Sequence, residues 1–263
     1  MAKHRRVWNA SVHEKYVREG RGSGWGPGYA PWIRVQDFAS LGVASRVRGR
    51  KTGRVHHLMS NNELAYFYLL DWSDKVTDIR EQYPLLDLEN AVGIAAQAGI
   101  RYPRDNISGY PYVLTCDFMI TTVDGMKART IKMTAELDNP RTLEKLEIER
   151  RYWSACGIDW RIVTEREISF QKSKNIQWLY TANGIDAATD EPNVKLRAQA
   201  MMMRMITGSD CSIREAAQTI EREWLLPAGI GMQIFKRLVL NKEIAVNLEE
   251  PLNLNAKGVV ARA

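Results

Sequence analysis

An α/β fold over residues 1–168, followed by a mostly α segment over residues 169–263 that closes as a winged helix, is what the sequence predicts. Three observations predict it. Runs rich in β-branched and aromatic residues, at 76–83, 113–123 and 160–163, alternate with stretches that carry helix signals. The middle run leads into Asp124-Gly125, the strongest short hairpin signal, because both turn positions need φ > 0. Beyond Ile168 the apolar spacing turns helical and stays so until the strand-like Ile244-Ala245-Val246-Asn247-Leu248.

Taken in order, residues 1–19 form a basic, helix-capable arm. The glycine-rich Gly20-Arg21-Gly22-Ser23-Gly24-Trp25-Gly26-Pro27-Gly28 then reads as a mobile linker. Its glycine spacing is wrong for a dinucleotide loop, no strand precedes it, and prolines stand where a helix should start. Next, Arg46, Arg48 and Arg50 alternate so as to share one strand face, and Gly53 allows a turn into a second strand. With Lys51 and Arg54 they make five cations within nine residues. Such a hairpin is either a solvated surface or a grip on phosphates.

Ser60-Asn61-Asn62-Glu63 spells a capping box, with Glu63 at N3 reaching back to the Ser60 amide, and opens a helix that runs to Trp72. A strand from Val76 to Tyr83 ends at Pro84, and a short helix covers Glu89–Gln97. Asn139-Pro140 starts a long helix with an apolar stripe of Leu143, Leu146 and Trp153, closed by Gly157. Trp160–Val163 reads as a buried strand. Helices near Asn175–Tyr180, Val194–Ile206 and Ser212–Leu226 and, past a Pro227–Gly231 turn, Met232–Asn241 outline a winged helix-turn-helix. Lys236, Arg237 and Lys242 lie on or just after its recognition helix, while Glu221, Arg222 and Glu223 leave the preceding helix mixed in charge. Docking on protein and on DNA both stay open.

Lys and Arg number 37 against 31 Asp and Glu, a net charge of +6 that favours a polyanionic partner without requiring one. Cys116, Cys156 and Cys211 are scattered with no Cys-x-x-Cys pair, which argues against a disulfide framework and a cysteine-rich zinc site. His56-His57 has no ligand spacing with His4 or His13. The basic first six residues precede no apolar segment, and no run approaches the roughly 20 apolar residues of a membrane span. The expectation is a soluble, cytoplasmic protein with no membrane partner.

The hairpin carries the chemistry. With Asp124-Gly125 as the loop, Val123 pairs with Met126 and Asp117 faces Lys132, their Cβ atoms roughly 4.5–5.5 Å apart. Thr130 shares that face. An acid and an amine opposed in this way are either an ordinary cross-strand ion pair or part of a metal-dependent phosphodiesterase centre.

Several segments, in one consistent order, resemble the TnsA family, the endonuclease subunit of heteromeric cut-and-paste transposases. They are Lys51-Thr52-Gly53-Arg54-Val55-His56-His57-Leu58, Glu63-Leu64-Ala65, the run from Asp78 to Leu86, Asp117-Phe118, Ile131-Lys132, and the run from Arg141 through Glu149 to Trp153. The resemblance implies a restriction-endonuclease-like mixed sheet flanked by helices, with the winged-helix segment binding a partner. It places Glu63, Asp117 and Lys132 on the catalytic acid, acid and lysine, and Glu149 on a helix carboxylate that supports them. Thr130 stands where family members have glutamine, and Cys116 where many nucleases of this fold have proline.

The family implies Mg²⁺, two ions held by Glu63, Asp117 and the Ile131 carbonyl, with Mn²⁺ able to substitute. It further implies DNA at transposon ends as substrate, the 5′ non-transferred strand as the one cut, a partner transposase TnsB, an ATP-dependent regulator TnsC, and association with the bacterial nucleoid in the complex. Arg46, Arg48, Arg50, Lys51 and Arg54 are the expected phosphate contacts. A winged-helix regulator with an inactive nuclease domain, and a free-standing restriction or repair nuclease, are the alternatives.

Overall fold

The computed structural model describes residues 7–37, 43–182, 192–208, 211–258 and 260–262, so the basic residues 1–6 lie outside it. The chain divides into two compact units, Met1–Ile168 and Ser169–Ala263.

In the first unit, α1 (Ala10–Arg18) is capped by Asn9, whose side chain accepts the Val12 amide at 3.0 Å. The glycine-rich segment after it is a folded turn and not a linker. Buried Arg21 donates to the Trp32 carbonyl at 3.1 Å and pairs with Asp37 at 2.5 Å, while the Tyr29 hydroxyl donates to the Glu81 carbonyl at 3.0 Å. A Cβ at Gly24, where φ is +92°, would meet the Gly28 carbonyl oxygen at 2.3 Å. Glycine here serves a tight fold-back, and the interleaved aromatics supply the burial that a linker lacks.

Strands β1 (Ser45–Arg48) and β2 (Val55–Leu58) form an antiparallel pair. Then come α2 (Asn61–Trp72), β3 (Val76–Pro84), α3 (Leu88–Gln97), β4 (Thr115–Thr122), β5 (Gly125–Ile131), α4 (Pro140–Ala155) and β6 (Asp159–Val163). The central sheet has the order β3-β4-β5-β6. Its first three strands are antiparallel, whereas β6 runs parallel to β5 through the α4 crossover that such a pairing requires. The sheet is therefore mixed. Met119 and Ala128 pack with Ala91 and Ala95 of α3 and Ile148 and Trp153 of α4, while Phe118, the next residue along β4, meets Tyr66 of α2 with ring centroids 5.7 Å apart. Alternation along the strand thus places helices on both faces.

Three sequence expectations change here. Thr122 pairs with Gly125 and Phe118 with Arg129, so the loop is Val123-Asp124 and the register is displaced by two residues. Gly125, at φ +118°, supplies the conformation that the turn needs. Continued one step, Asp117 lies across from Thr130 rather than Lys132. β6 is an edge strand with Asp159 and Arg161 exposed, not a buried one, because among the described residues no strand pairs beyond it in the sheet order. Leu143, expected on the buried stripe of α4, is 46% exposed.

The second unit contains α5 (Phe170–Leu179), α6 (Pro192–Thr207), α7 (Ile213–Glu223), α8 (Ile230–Leu240) and the antiparallel pair β7 (Ile244–Val246) and β8 (Val260–Arg262). Ser212 and Glu215 form a reciprocal capping box at the start of α7. α7 and α8 cross so closely that a Cβ on Gly231 would meet the Ala217 carbonyl oxygen at 2.3 Å. Lys236 is not on the open face of α8. It is buried, donates to the Thr181 hydroxyl at 2.7 Å and lies 4.2 Å from the Trp178 ring centroid. Among the described residues, no helix is long and apolar enough to cross a membrane.

Candidate active site

Glu63 occupies the first turn of α2, and the turn itself fixes it there. The Ser60 hydroxyl accepts the Glu63 amide at 3.1 Å, capping the helix. In return the Glu63 carboxylate accepts the Ser60 hydroxyl at 3.1 Å and the Met59 amide at 2.9 Å. The reach-back thus lands one residue before the expected Ser60 amide.

Asp117 enters from β4. Its Oδ2 accepts the Ile131 amide of β5 at 2.6 Å. Lys132 follows at the end of β5, where its amide prolongs the ladder by donating to Val163 at 3.0 Å and its Nζ donates to the Ile131 carbonyl at 3.1 Å. The side-chain amide of Gln82, on β3, donates to Glu63 Oε2 at 3.2 Å and to Asp117 Oδ1 at 3.5 Å. One nitrogen thus reaches both acids. Sequence reasoning missed Gln82 as a site residue; its only trace was membership of the Asp78–Leu86 run.

Burial dominates the electrostatics. It pushes the Glu63 carboxyl up to about 8, aided by the Asp117 charge and opposed by the bonds from Met59 and Ser60 and by Lys132. Burial also raises Asp117, against the pull of Lys132 and of the bonds from Ile131 and Gln82. For Lys132 burial acts downward, but the surrounding Asp117, Glu149, Glu136 and Glu63 outweigh it and hold the ammonium above its ordinary value. The ammonium therefore stays charged at neutral pH beside acids that take up protons readily.

Thr130 and Glu149 turn to each other. The Thr130 hydroxyl donates to Glu149 Oε2 at 2.6 Å and accepts the Trp160 indole N–H at 3.2 Å. Glu149 is buried and raised to about 7, chiefly by burial, with the Thr130 bond opposing and the Asp117 charge adding to the rise. Among the described residues, no group of three or more His, Cys, Asp or Glu is gathered closely enough to hold a metal ion. Glu63, Asp117 and Lys132 form one cluster with Gln82, and Thr130 with Glu149 forms a support beside it.

Of the expected phosphate contacts, Arg46 and Arg48 are exposed at alternate positions of β1. Arg50 is exposed and Lys51 half-buried, and their amides donate to the Asp71 carboxylate at 2.9 and 3.1 Å, which fixes the loop between β1 and β2. Arg54 corrects the expectation. Its buried guanidinium pairs with both oxygens of Glu81 and donates to the Ile79 carbonyl at 2.8 Å, which commits it to the interior rather than to an incoming phosphate. His56 Nδ1 also meets Glu81 at 2.7 Å, and these partners hold Glu81 down to about 2 against the effect of burial.

A family model described as TnsA-like endonuclease N terminal matches residues 73–165, and one described as TnsA endonuclease C terminal matches residues 167–248. The chain is 38% identical over 244 residues to the transposon Tn7 transposition protein TnsA of Escherichia coli, a match covering 91% of this chain and 86% of that protein. With the alignment running through both units, the chain belongs to the TnsA family.

Proposed function

We propose that this chain is a divalent-metal-dependent DNA endonuclease that cuts the 5′, non-transferred strand at transposon ends, acting with a TnsB-type transposase and a TnsC-type ATP-dependent regulator. One observation carries the chemical part of this reading. Two carboxylates from separate elements, buried Glu63 and half-buried Asp117, stand within reach of one amide and within the field of a charged lysine. Family membership supports the transposition context.

The donor set fits a hard cation. Glu63, Asp117 and the Ile131 carbonyl all offer oxygen, and Mg²⁺ binds through one or two carboxylates with substrate phosphate and water completing its shell. Burial raises the proton affinity of both acids, so a cation would relieve the same electrostatic cost that a proton relieves. Bound there as one ion or two, Mg²⁺, with Mn²⁺ as a substitute, would neutralise charge on the attacking and leaving oxygens of the phosphodiester.

The protein's own groups do the rest. Lys132, kept protonated by the acids around it, orients the attacking water and offsets negative charge as a phosphate enters. Thr130 holds Glu149 in place behind it. Arg46, Arg48, Arg50 and Lys51 track the DNA backbone, a sequence-independent role suited to an enzyme directed to its site by partners. The second unit, read as winged-helix-like, docks a partner.

The test is a nicking assay on a plasmid carrying transposon ends, with Mg²⁺ or Mn²⁺ and with or without the partner transposase. The parent is expected to nick only with both cation and partner, and Asp117→Asn and Lys132→Met to bind DNA without nicking. No cleavage by the parent under any of these conditions would favour the regulator reading, which the two-acid cluster makes the competing one. Cleavage without the partner would favour a free-standing nuclease.

A further inference from the structure

Gln82 holds an unusual backbone conformation in the middle of β3, with φ at +49°. Such a conformation is costly for an L-residue and persists only where its surroundings impose it. The β3–β4 pairing passes from Glu81–Phe118 to Tyr83–Cys116 with no pair at Gln82. Glu81 meets Arg54 and His56, beside Phe67 of α2, whereas Tyr83 packs against the cluster formed with α3 and α4. In a regular strand, residues two apart would share one face, so β3 changes face at Gln82.

The side chain uses that change. Gln82 is buried, and its Oε1 accepts the Thr115 hydroxyl at 3.3 Å while its Nε2 donates to both carboxylates. Reversing the amide would aim its oxygen at two carboxylates, so the partners themselves fix its orientation. The remaining bonds to the acids are local to each. Glu63 is held by Met59 and Ser60 of its own helix start, and Asp117 by Ile131 of the next strand. Among the described residues, Gln82 is the hydrogen-bond donor they share.

Resting on the reading of this cluster as a cation site, we propose that Gln82 is a positioning residue whose amide sets the spacing of Glu63 and Asp117 before a cation arrives. Without it, the two acids would each relax toward their own local donors, and the cation would have to draw them together. Partners that orient metal ligands from outside are worth roughly 10–100-fold in metal affinity. The strained backbone is retained because a regular strand conformation would aim residue 82 elsewhere.

Mn²⁺ binding to the full chain, followed by calorimetry and accompanied by thermal unfolding in EDTA, tests this. Gln82→Met keeps length and unbranched shape but donates nothing. Gln82→Gly removes the amide and also relieves the positive φ, so it separates backbone strain from side-chain function. Both variants are expected to bind Mn²⁺ roughly 10–100-fold more weakly than the parent, with Gln82→Gly melting no lower than Gln82→Met. An unchanged affinity in Gln82→Gly, alongside lost binding in Asp117→Asn, overturns the inference alone. A parent that binds no Mn²⁺, or an Asp117→Asn variant that binds it as tightly as the parent, overturns the cation-site reading and this inference with it.

Discussion

Replacing Glu63 by glutamine should make the cation-free protein more stable in alkali while removing a proposed cation ligand. In the folded chain this carboxyl keeps its proton up to about 8, against 4.5 for the free group. A carboxyl raised in the folded state contributes stability that is complete below the unfolded value and is lost as pH climbs through the folded one. A tenfold change in proton affinity is worth about 1.4 kcal/mol, so full ionisation costs the folded chain roughly 5 kcal/mol. The amide in Glu63→Gln never ionises. Its oxygen can keep the bonds from Met59 and Gln82, and its NH₂ can face the Ser60 oxygen. Even half of that cost corresponds to a rise in melting temperature of about 5–10 °C for a unit of this size. Calorimetric unfolding in EDTA, at about pH 5 and about pH 9, reads the effect directly. The variant should gain on the parent at the higher pH only. An equal offset at both pH values would refute the claim that a buried, ionising Glu63 sets the pH dependence.

Thr130→Val should lower stability by about 1–3 kcal/mol in denaturant melts, because it strips the donor from buried Glu149 and the acceptor from Trp160. Thr130→Ser should recover most of it; a large loss of cation affinity with unchanged stability would instead make Thr130 a ligand. Arg54→Met should cost about 3–5 kcal/mol, since it leaves Glu81 buried without its main partner. Arg46→Glu with Arg48→Glu should change stability by no more than about 0.5 kcal/mol each. The same pair should flatten the salt dependence of DNA binding by about one unit for each lost phosphate contact. Lys236→Glu should destabilise the second unit by circular dichroism melts, because it places a carboxylate over the Trp178 ring; a fully stable variant would contradict the buried position of Lys236.

Local chemistry made Glu63 legible. A serine three residues before a glutamate specifies both a helix start and the place of the carboxylate, and the structure departs only in which amide receives it. The hairpin was legible in kind but not in register. Asp124-Gly125 marks a turn, yet a glycine at positive φ also serves one position after the loop, and the choice moves every pair by two residues. Because side chains alternate with period two, that displacement keeps Asp117, Thr130 and Lys132 on one face while changing which pair is opposed.

Arg54 was misjudged because a cation-rich run looks uniformly exposed in sequence, and its partner Glu81 lies a whole helix away. The glycine-rich turn was misjudged for a related reason: Arg21, Tyr29 and Trp32 find their burial against distant elements. Gln82 gave no local sign at all. A glutamine within a strand pattern says nothing of φ, and its role exists only where three elements meet.

The dual engagement of Glu63 has a consequence for the life of the chain before it is fully assembled. The bonds that start α2 are also the bonds that aim this acid, so a copy whose helix start has frayed has lost its aim as well. On the proposed reading of Glu63 as a cation ligand, a half-folded copy would be unable to assemble its site, and cutting would wait on completed folding.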